Sequence, residues 1–425
     1  MLVEFTVSNF RSVREPQTLS LVANQKYPDL RGNTLDPEAK GAARRHLLKG
    51  VAIYGPNASG KSSVLKALTF MSQFIANSAA HLPGSPTGAV PFAFDETTRD
   101  APSEFEVFFI VGGIMYQYGF AIDPRIVREE YLYSFASGRR TTLYKRARKG
   151  DGTYDWSTGK AFRLDAAIRG KVREDNLLLS VGPQFNDAAL RPLHAWFAGS
   201  VKFLHLGIGT PGPLAPNFTA EMIDKGGTRR DQIVKLLRAA DFGVQDARVS
   251  HHKFPVSELP MLDQLPTGLA DQLKREGFLD ALNIQLQHRT LGGEAMGLEL
   301  QEESDGTQRF FQLVGPWIDV LENNHILLVD ELESSLHPML VQELLNLFFS
   351  HPESRAQIVF TTHDPTLLDA GVLRRDQIWF TEKDATSATN LYPLSDFTPR
   401  KGEALEKGYL NGRYGALPYI GDVRF

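Results

Sequence analysis

Eight residues carry the clearest chemical signal in the chain: Gly55, Pro56, Asn57, Ala58, Ser59, Gly60, Lys61 and Ser62. They lie between an apolar run, residues 50–54, and a stretch of helical spacing that starts at Ser63. Glycines at both ends of the loop let the backbone curl with its N–H groups inward, so that amides, the Lys61 ammonium and a helix N-terminus all face one anion. This is how a protein cradles the phosphates of a nucleoside triphosphate, with the Ser62 hydroxyl placed for a magnesium ion. The pattern also arises by chance in glycine-rich loops. Its position between a buried strand and a helix makes it a site.

Phosphoryl transfer needs positioning and charge neutralisation more than covalent chemistry, and three further segments can supply them. Asp330 and Glu331 follow the apolar run at residues 326–329, which places two carboxylates at the carboxyl end of a buried strand, where open α/β sheets collect ligands. Asp330 suits the magnesium ion and Glu331 the attacking water. Alone, such a strand end is as often structural; beside a phosphate loop it is a catalytic pair. His363, 32 residues after Glu331 and just past the strand at residues 356–360, is placed as a hydrogen-bonding sensor of the γ-phosphate. Ser304 and Gly306, ahead of the apolar positions Phe310, Phe311, Leu313 and Val314, form a Ser-x-Gly turn opening a helix, which in isolation reads as an ordinary cap.

The elements that must hold these groups form an α/β protein. At 425 residues the chain is long enough for roughly two or three units. Hydrophobic residues at 42% and charged residues at 23% are those of a globular protein, and no stretch is apolar for the eighteen or so residues a spanning helix needs. The first residues alternate with period two, as a half-buried strand does, and lack a signal-peptide pattern; the expected location is cytoplasmic, with no membrane partner. The absence of cysteine excludes disulfides, thiol nucleophiles and thiolate metal sites. A formal charge of −4 argues against a broad nucleic-acid-coating surface, and the basic run at residues 139–149 reads as a solvated hairpin.

Strand signals with turn punctuation recur at residues 103–111, 115–122 and 130–135, predicting an antiparallel sheet beside the phosphate-loop core. Between residues 165 and 285 the texture becomes helical, as at residues 231–240, with a Pro/Gly-rich break at residues 210–216. The expected organisation is therefore a first ATPase lobe over 1–165, a mostly helical insertion over 166–285, and a second lobe over 286–425. No second catalytic cluster is evident, and His251-His252 reads as surface.

Together these motifs resemble the ATPase head of the ABC superfamily, in the branch of RecF, SMC and OLD-type proteins. Residues 7–12, Val-Ser-Asn-Phe-Arg-Ser, resemble that branch's N-terminal motif; Ser304 to Gln308 resembles the signature motif, Glu333 to Pro338 the D-loop, and Thr361-Thr362-His363 the switch histidine. The tail from Leu410 to Pro418, with the signature-like run and the phrase around Asp330, is similar to stand-alone ATPases of abortive-infection and phage-defence systems, including PARIS-type systems. The family's Q-loop glutamine has candidates in Gln73 and Gln117, and no long coiled coil is present. The resemblance implies ATP and Mg2+ as cofactors, with residues Gly55 to Ser63 and Arg11 on the phosphates. It also implies a head-to-head dimer or higher homo-oligomer in which Ser304 and Gly306 of one copy meet the γ-phosphate bound by another. Arg413 stands between a structural and a functional role.

The expected function is an ATPase acting as an ATP-gated sensor or scaffold for an effector encoded nearby, such as a nuclease or toxin. The alternative is a RecF-like DNA-maintenance ATPase that clamps DNA directly. A transporter ATPase is disfavoured by the N-terminal motif and the lack of a clear Q-loop.

Overall fold

The computed structural model describes residues 1–39, 45–160, 162–204, 216–240, 242–256, 274–275, 277–369, 371–400 and 402–418. The chain divides into two compact units. The first comprises Met1–Leu204, Val320–Ser334 and Val341–Phe425, and the second His205–Asp319 with Ser335–Leu340.

In the first unit, near-continuous apolar runs build a sheet that is buried on both faces, as parallel strands require. Its strand order is Val201–Leu204, Ile326–Val329, Gln357–Thr361, Gly50–Tyr54, Ile378–Lys383 and Thr389–Pro393; all neighbours run parallel except the last pair. The register pairs Val329 with Phe360 and Thr361 with Ile53, so three strands end level with one another. That alignment delivers Gly55, Asp330 and His363 to one edge. Two of the three strands are separated in sequence from the third by about three hundred residues, yet nothing in the apolar runs themselves dictates their order.

A second, antiparallel sheet of seven strands carries the N-terminal strand Leu2–Ser8 between Ser103–Val111 and Gln17–Ser20. Three of the strands expected from alternation appear here as Ser103–Val111, Ile114–Ile122 and Val127–Ser134. Helix Lys61–Asn77 buries Val64, Leu65, Leu68, Met71, Phe74 and Ile75 in a core shared with Phe5, Phe105 and Phe120 of this sheet. Phe10, Phe70 and Phe105 pack with centroids 5.1–5.3 Å apart. Such aromatic contacts contribute beyond their area. Gln357 ties the two sheets: its Oε1 accepts from the Leu2 N–H at 2.7 Å, and its Nε2 donates to the carbonyls of Leu2 at 2.9 Å and Leu48 at 3.1 Å.

One ion pair lies wholly inside the antiparallel sheet. Arg146 Nε is 2.8 Å from Glu130 Oε2, and both side chains are fully buried. A buried pair survives only if its remaining valences are met. Here the Tyr118 and Tyr144 hydroxyls donate to Glu130 Oε1 at 3.0 and 2.8 Å, and the Leu178 and Leu179 N–H groups donate at 2.9 and 3.1 Å. Arg146 in turn donates to the carbonyls of Arg173 and Asn176 and lies over the Tyr154 and Trp156 rings.

The second unit covers a different span from the insertion expected over 166–285, and its described residues include strands as well as helices. Residues 166–204 belong to the first unit, including helix Arg191–Ser200 and strand Val201–Leu204. Beside helices Pro216–Asp224 and Gly227–Ala239, the second unit contains a three-stranded antiparallel sheet, Val244–Pro255, Phe278–Arg289 and Ala295–Glu299. Among their described residues Val244, Ala247, Ile284 and Leu286 are buried; alternation is readable only over Leu282 to Gln287, whereas Gln245-Asp246 interrupts it between Val244 and Ala247. Of the break expected at 210–216, residues 210–215 lie outside the described residues. Helix Asp305–Asn323 contains Pro316. One residue earlier the Thr219 hydroxyl enters the helical ladder, donating to Phe311 O at 2.8 Å and accepting from Gly315 N–H at 3.2 Å.

Candidate functional site: the phosphate loop

The loop's backbone is held in conformations that a nucleotide site needs and an ordinary turn avoids. Gly60 sits at φ +107°, and a Cβ there would stand 2.0 Å from Thr389 Oγ1; at Gly55 it would stand 2.4 Å from the Thr381 carbonyl. Ala58 and Glu331 are non-glycine residues at φ 61° and 53°. Strain of this kind is kept where surrounding structure enforces it and concentrates at functional sites. Helix Lys61–Asn77 begins directly from Gly60 with no side-chain cap and no acidic residue in its first turn. Its leading N–H groups and the positive end of its dipole are left for an anion.

Behind the loop runs a braced row of hydroxyls. Thr389 Oγ1 lies 2.9 Å from the Ser59 carbonyl and 2.8 Å from Ser12 Oγ, which lies 2.8 Å from Ser63 Oγ. A carbonyl only accepts, so the Thr389 hydroxyl donates to Ser59; it shares its proton with Ser12, and Ser12 donates on to Ser63. The Thr389 N–H also donates to Ser12 O at 2.8 Å, and the Ser59 and Thr381 hydroxyls stand 2.7 Å apart. Strand Thr389–Pro393, the loop and the N-terminal turn are thereby fixed to one another.

Lys61 is the charge at the centre. Its Nζ donates to the carbonyls of Gly55 at 2.8 Å and Pro56 at 3.1 Å, and among the described residues it has no ion-pair partner. Burial pushes its ammonium down to about 8, against the opposing pull of Asp330, Glu331 and Glu333. A desolvated cation without a carboxylate contact is a receptor for a phosphate.

The acidic side of the site is set by Thr361, which is fully buried. Its hydroxyl donates to Asp330 Oδ1 at 2.7 Å and accepts from the Glu331 N–H at 2.7 Å, while its carbonyl accepts from the Leu332 N–H at 3.1 Å. Glu331 and His363 line a cavity of about 210 Å³ with Ser12 and the loop residues Asn57, Ala58, Ser59, Gly60, Lys61, Ser62 and Ser63. The His363 N–H donates to Glu333 Oε1 at 2.5 Å. Burial first, and then Lys61, hold the His363 imidazole below its usual range, with the three carboxylates opposing. It is the neutral ring that faces the cavity near pH 7. The donor set fits ATP with Mg2+. Loop amides and Lys61 would hold the phosphates, and Ser62 and Asp330 the metal, which supplies charge neutralisation.

Other expected residues stand elsewhere. Arg11 is exposed at φ 52°, its guanidinium 5.6 Å over the Phe10 ring, and is not among the cavity's lining residues; the neighbouring Ser12 takes that place. Gln73 is exposed on its helix and Gln117 donates to Glu106 Oε2 at 2.7 Å within the antiparallel sheet, so neither lines the cavity. In the second unit, Ser304 caps helix Asp305–Asn323 by accepting from the Thr307 N–H at 3.2 Å, and a Cβ on Gly306 would meet the Ser335 carbonyl at 2.8 Å. Arg413 pairs with Glu403 and lies over Tyr414, and His251 pairs with Asp224 at 3.1 Å. Ser12 and Glu333 enter the sequence reading only as members of the N-terminal and D-loop-like motifs, whereas Thr381 and Thr389, lone threonines on late strands, carry no spacing signal.

A phosphate loop on a parallel sheet, with two carboxylates and a histidine at neighbouring strand ends, defines a P-loop ATPase. The chain belongs to the AAA_21 family, described as "AAA domain, putative AbiEii toxin, Type IV TA system", which matches residues 51–369. No curated protein matches it. Among solved structures it is similar to "Crystal structure of the SmcHead bound to the C-winged helix domain of ScpA", at 12% identity and a TM-score of 0.47, covering 92% of this chain and 96% of that one. It is also similar to "SMC head domain from Thermotoga maritima", at 12% identity and a TM-score of 0.40, covering 92% and 98%. No helix among the described residues is long and apolar enough to cross a membrane.

Proposed function

We propose that the chain is an ATP-hydrolysing switch. Two copies close head to head over ATP and so hold or release a partner effector, a toxin or nuclease encoded beside it, in a phage-defence pair of the abortive-infection or PARIS type. The observation that carries this reading is the convergence of Lys61, Glu331 and His363 on one cavity in a member of a toxin–antitoxin family. Lys61 and the loop amides bind the phosphates, Glu331 polarises the attacking water, and His363 senses the γ-phosphate as a neutral ring. Ser304 and Gly306 of a second copy complete the site, and Arg11 adds a phosphate contact once the copies close. ATP then shifts an open–closed equilibrium by its differential affinity for the closed pair.

Glu331→Gln tests both parts. It is expected to bind ATP like the parent, to hydrolyse it about 100-fold or more slowly, and to remain an ATP-dependent dimer or larger assembly by light scattering. With the neighbouring genes present, it should retain the effector on purification. Unchanged hydrolysis would remove Glu331 from its role; lost hydrolysis without ATP-dependent assembly would refute the gating.

A further inference from the structure

Opposite the phosphate loop, at the amino-terminal ends of the parallel strands, the first unit opens a cleft of about 960 Å³. Its walls come from the segment after strand Gln17–Ser20, from Arg45 and His46 ahead of strand Gly50–Tyr54, and from Arg374 ahead of strand Ile378–Lys383. Five residues of strand separate it from Gly55, about 17 Å at the usual rise. It is therefore distinct from the ATP site.

The cleft is built on a rigid base. Arg374 is 5% exposed; its Nε and Nη2 each lie 2.8 Å from an oxygen of Asp376, and Nη1 donates to Asp29 O at 2.8 Å. The second Asp376 oxygen also accepts from the Asn24 N–H at 2.7 Å, and Asn24 in turn organises the next residues, accepting from the Lys26 N–H at 3.0 Å and from the Tyr27 N–H at 3.1 Å. Asp376 is thus consumed in the base. Over it stand Lys26, Arg31 and Arg45, all exposed and none in an ion pair with a described residue; Glu4 is the carboxylate that Arg45 influences. Tyr27 lines the same cleft, with the Arg375 guanidinium 5.7 Å over its ring. On a chain with formal charge −4, three exposed cations outside any ion pair with a described residue, sharing one concavity with an aromatic ring, point to a polyanion contact.

We propose that this cleft binds the phosphate backbone of a nucleic-acid strand, with Lys26, Arg31 and Arg45 as charge contacts and Tyr27 as a stacking face. The site goes beyond the ATPase reading and does not depend on it. Three phosphate contacts on a single strand give a logarithmic salt slope of about −2, a loss of roughly 20-fold in affinity between 50 and 200 mM salt.

The experiment is fluorescence anisotropy of a labelled oligothymidine with the full chain, at saturating Mg·ADP so that the phosphate loop is occupied. The expected result is binding with that salt slope, abolished in K26E/R31E/R45E while ADP affinity stays within twofold of the parent. Tyr27→Ala should weaken binding about fivefold or more and leave the salt slope unchanged. Equal binding by the triple variant, or none by the parent, overturns the proposal. So does competition by a mononucleotide or inorganic polyphosphate with no gain for longer oligonucleotides, which would assign the cleft to a small anion.

Discussion

Thr389→Val is the sharpest test of the loop's brace. The substitution keeps the branched shape in a site only 1% exposed and removes the hydroxyl that lies 2.9 Å from Ser59 O. Ser12 can still reach Ser63, so its loss is partial, but the Ser59 carbonyl is left without this donor. A buried acceptor stripped of its partner costs about 1–3 kcal/mol. Because the group belongs to the loop itself, that cost appears in the loop's binding geometry, and the expected result is a 5- to 150-fold weaker ATP affinity, converting at about 1.4 kcal/mol per decade. Titration calorimetry with the Glu331→Gln background, which prevents turnover, measures it directly. Thr389→Ser restores the hydroxyl and should recover most of the affinity. ATP binding by Thr389→Val within twofold of the parent would refute the brace as a positioning device.

Two further outcomes follow from charge and burial. Lys61 titrates near 8 in the free protein and binds phosphate only as the cation, and a bound phosphate raises its pKa. ATP affinity should therefore be flat below pH 8 and fall by up to tenfold per pH unit above it until the complex itself titrates; a flat profile to pH 10 in calorimetry would contradict the assignment. Glu130→Ala strands Arg146 as a buried uncompensated charge and should lower stability by about 3–5 kcal/mol in denaturant unfolding, against less than 1 kcal/mol for loss of an exposed ion pair.

Chemistry that depends on local spacing was legible from sequence. The phosphate loop needs its glycines, lysine and serine in consecutive order, and Asp330 and Glu331 announce themselves by ending an apolar strand. Groups joined by tertiary register were not. Thr361 bridges Asp330 and Glu331 because Val329 pairs with Phe360, and Thr389 reaches the loop because its strand folds back antiparallel on Ile378–Lys383. The parallel core and the antiparallel sheet followed from apolar runs and alternation. The small sheet of the second unit did not, because its described strands bury few residues and lie within a region whose helical stretches dominate the pattern. Arg11 was placed by resemblance, and in the isolated chain its left-handed backbone turns it outward while Ser12 lines the cavity.

The distance in sequence between the phosphate-loop strand and its neighbours has a consequence for how the protein is made. Gly50–Tyr54 is fully buried, yet both of its hydrogen-bonded flanks, Gln357–Thr361 and Ile378–Lys383, lie about 300 residues later. At usual translation speeds of roughly 5–20 residues per second, the ribosome exposes this apolar strand for some 15 to 60 seconds before its partners leave the exit tunnel. During that interval the antiparallel sheet can pair among its own strands, but Leu2 still lacks Gln357 and the nucleotide site lacks its acidic half. The nascent chain therefore cannot assemble the complete site until residues 330–363 have been made, and until then a defined apolar stretch stays uncovered.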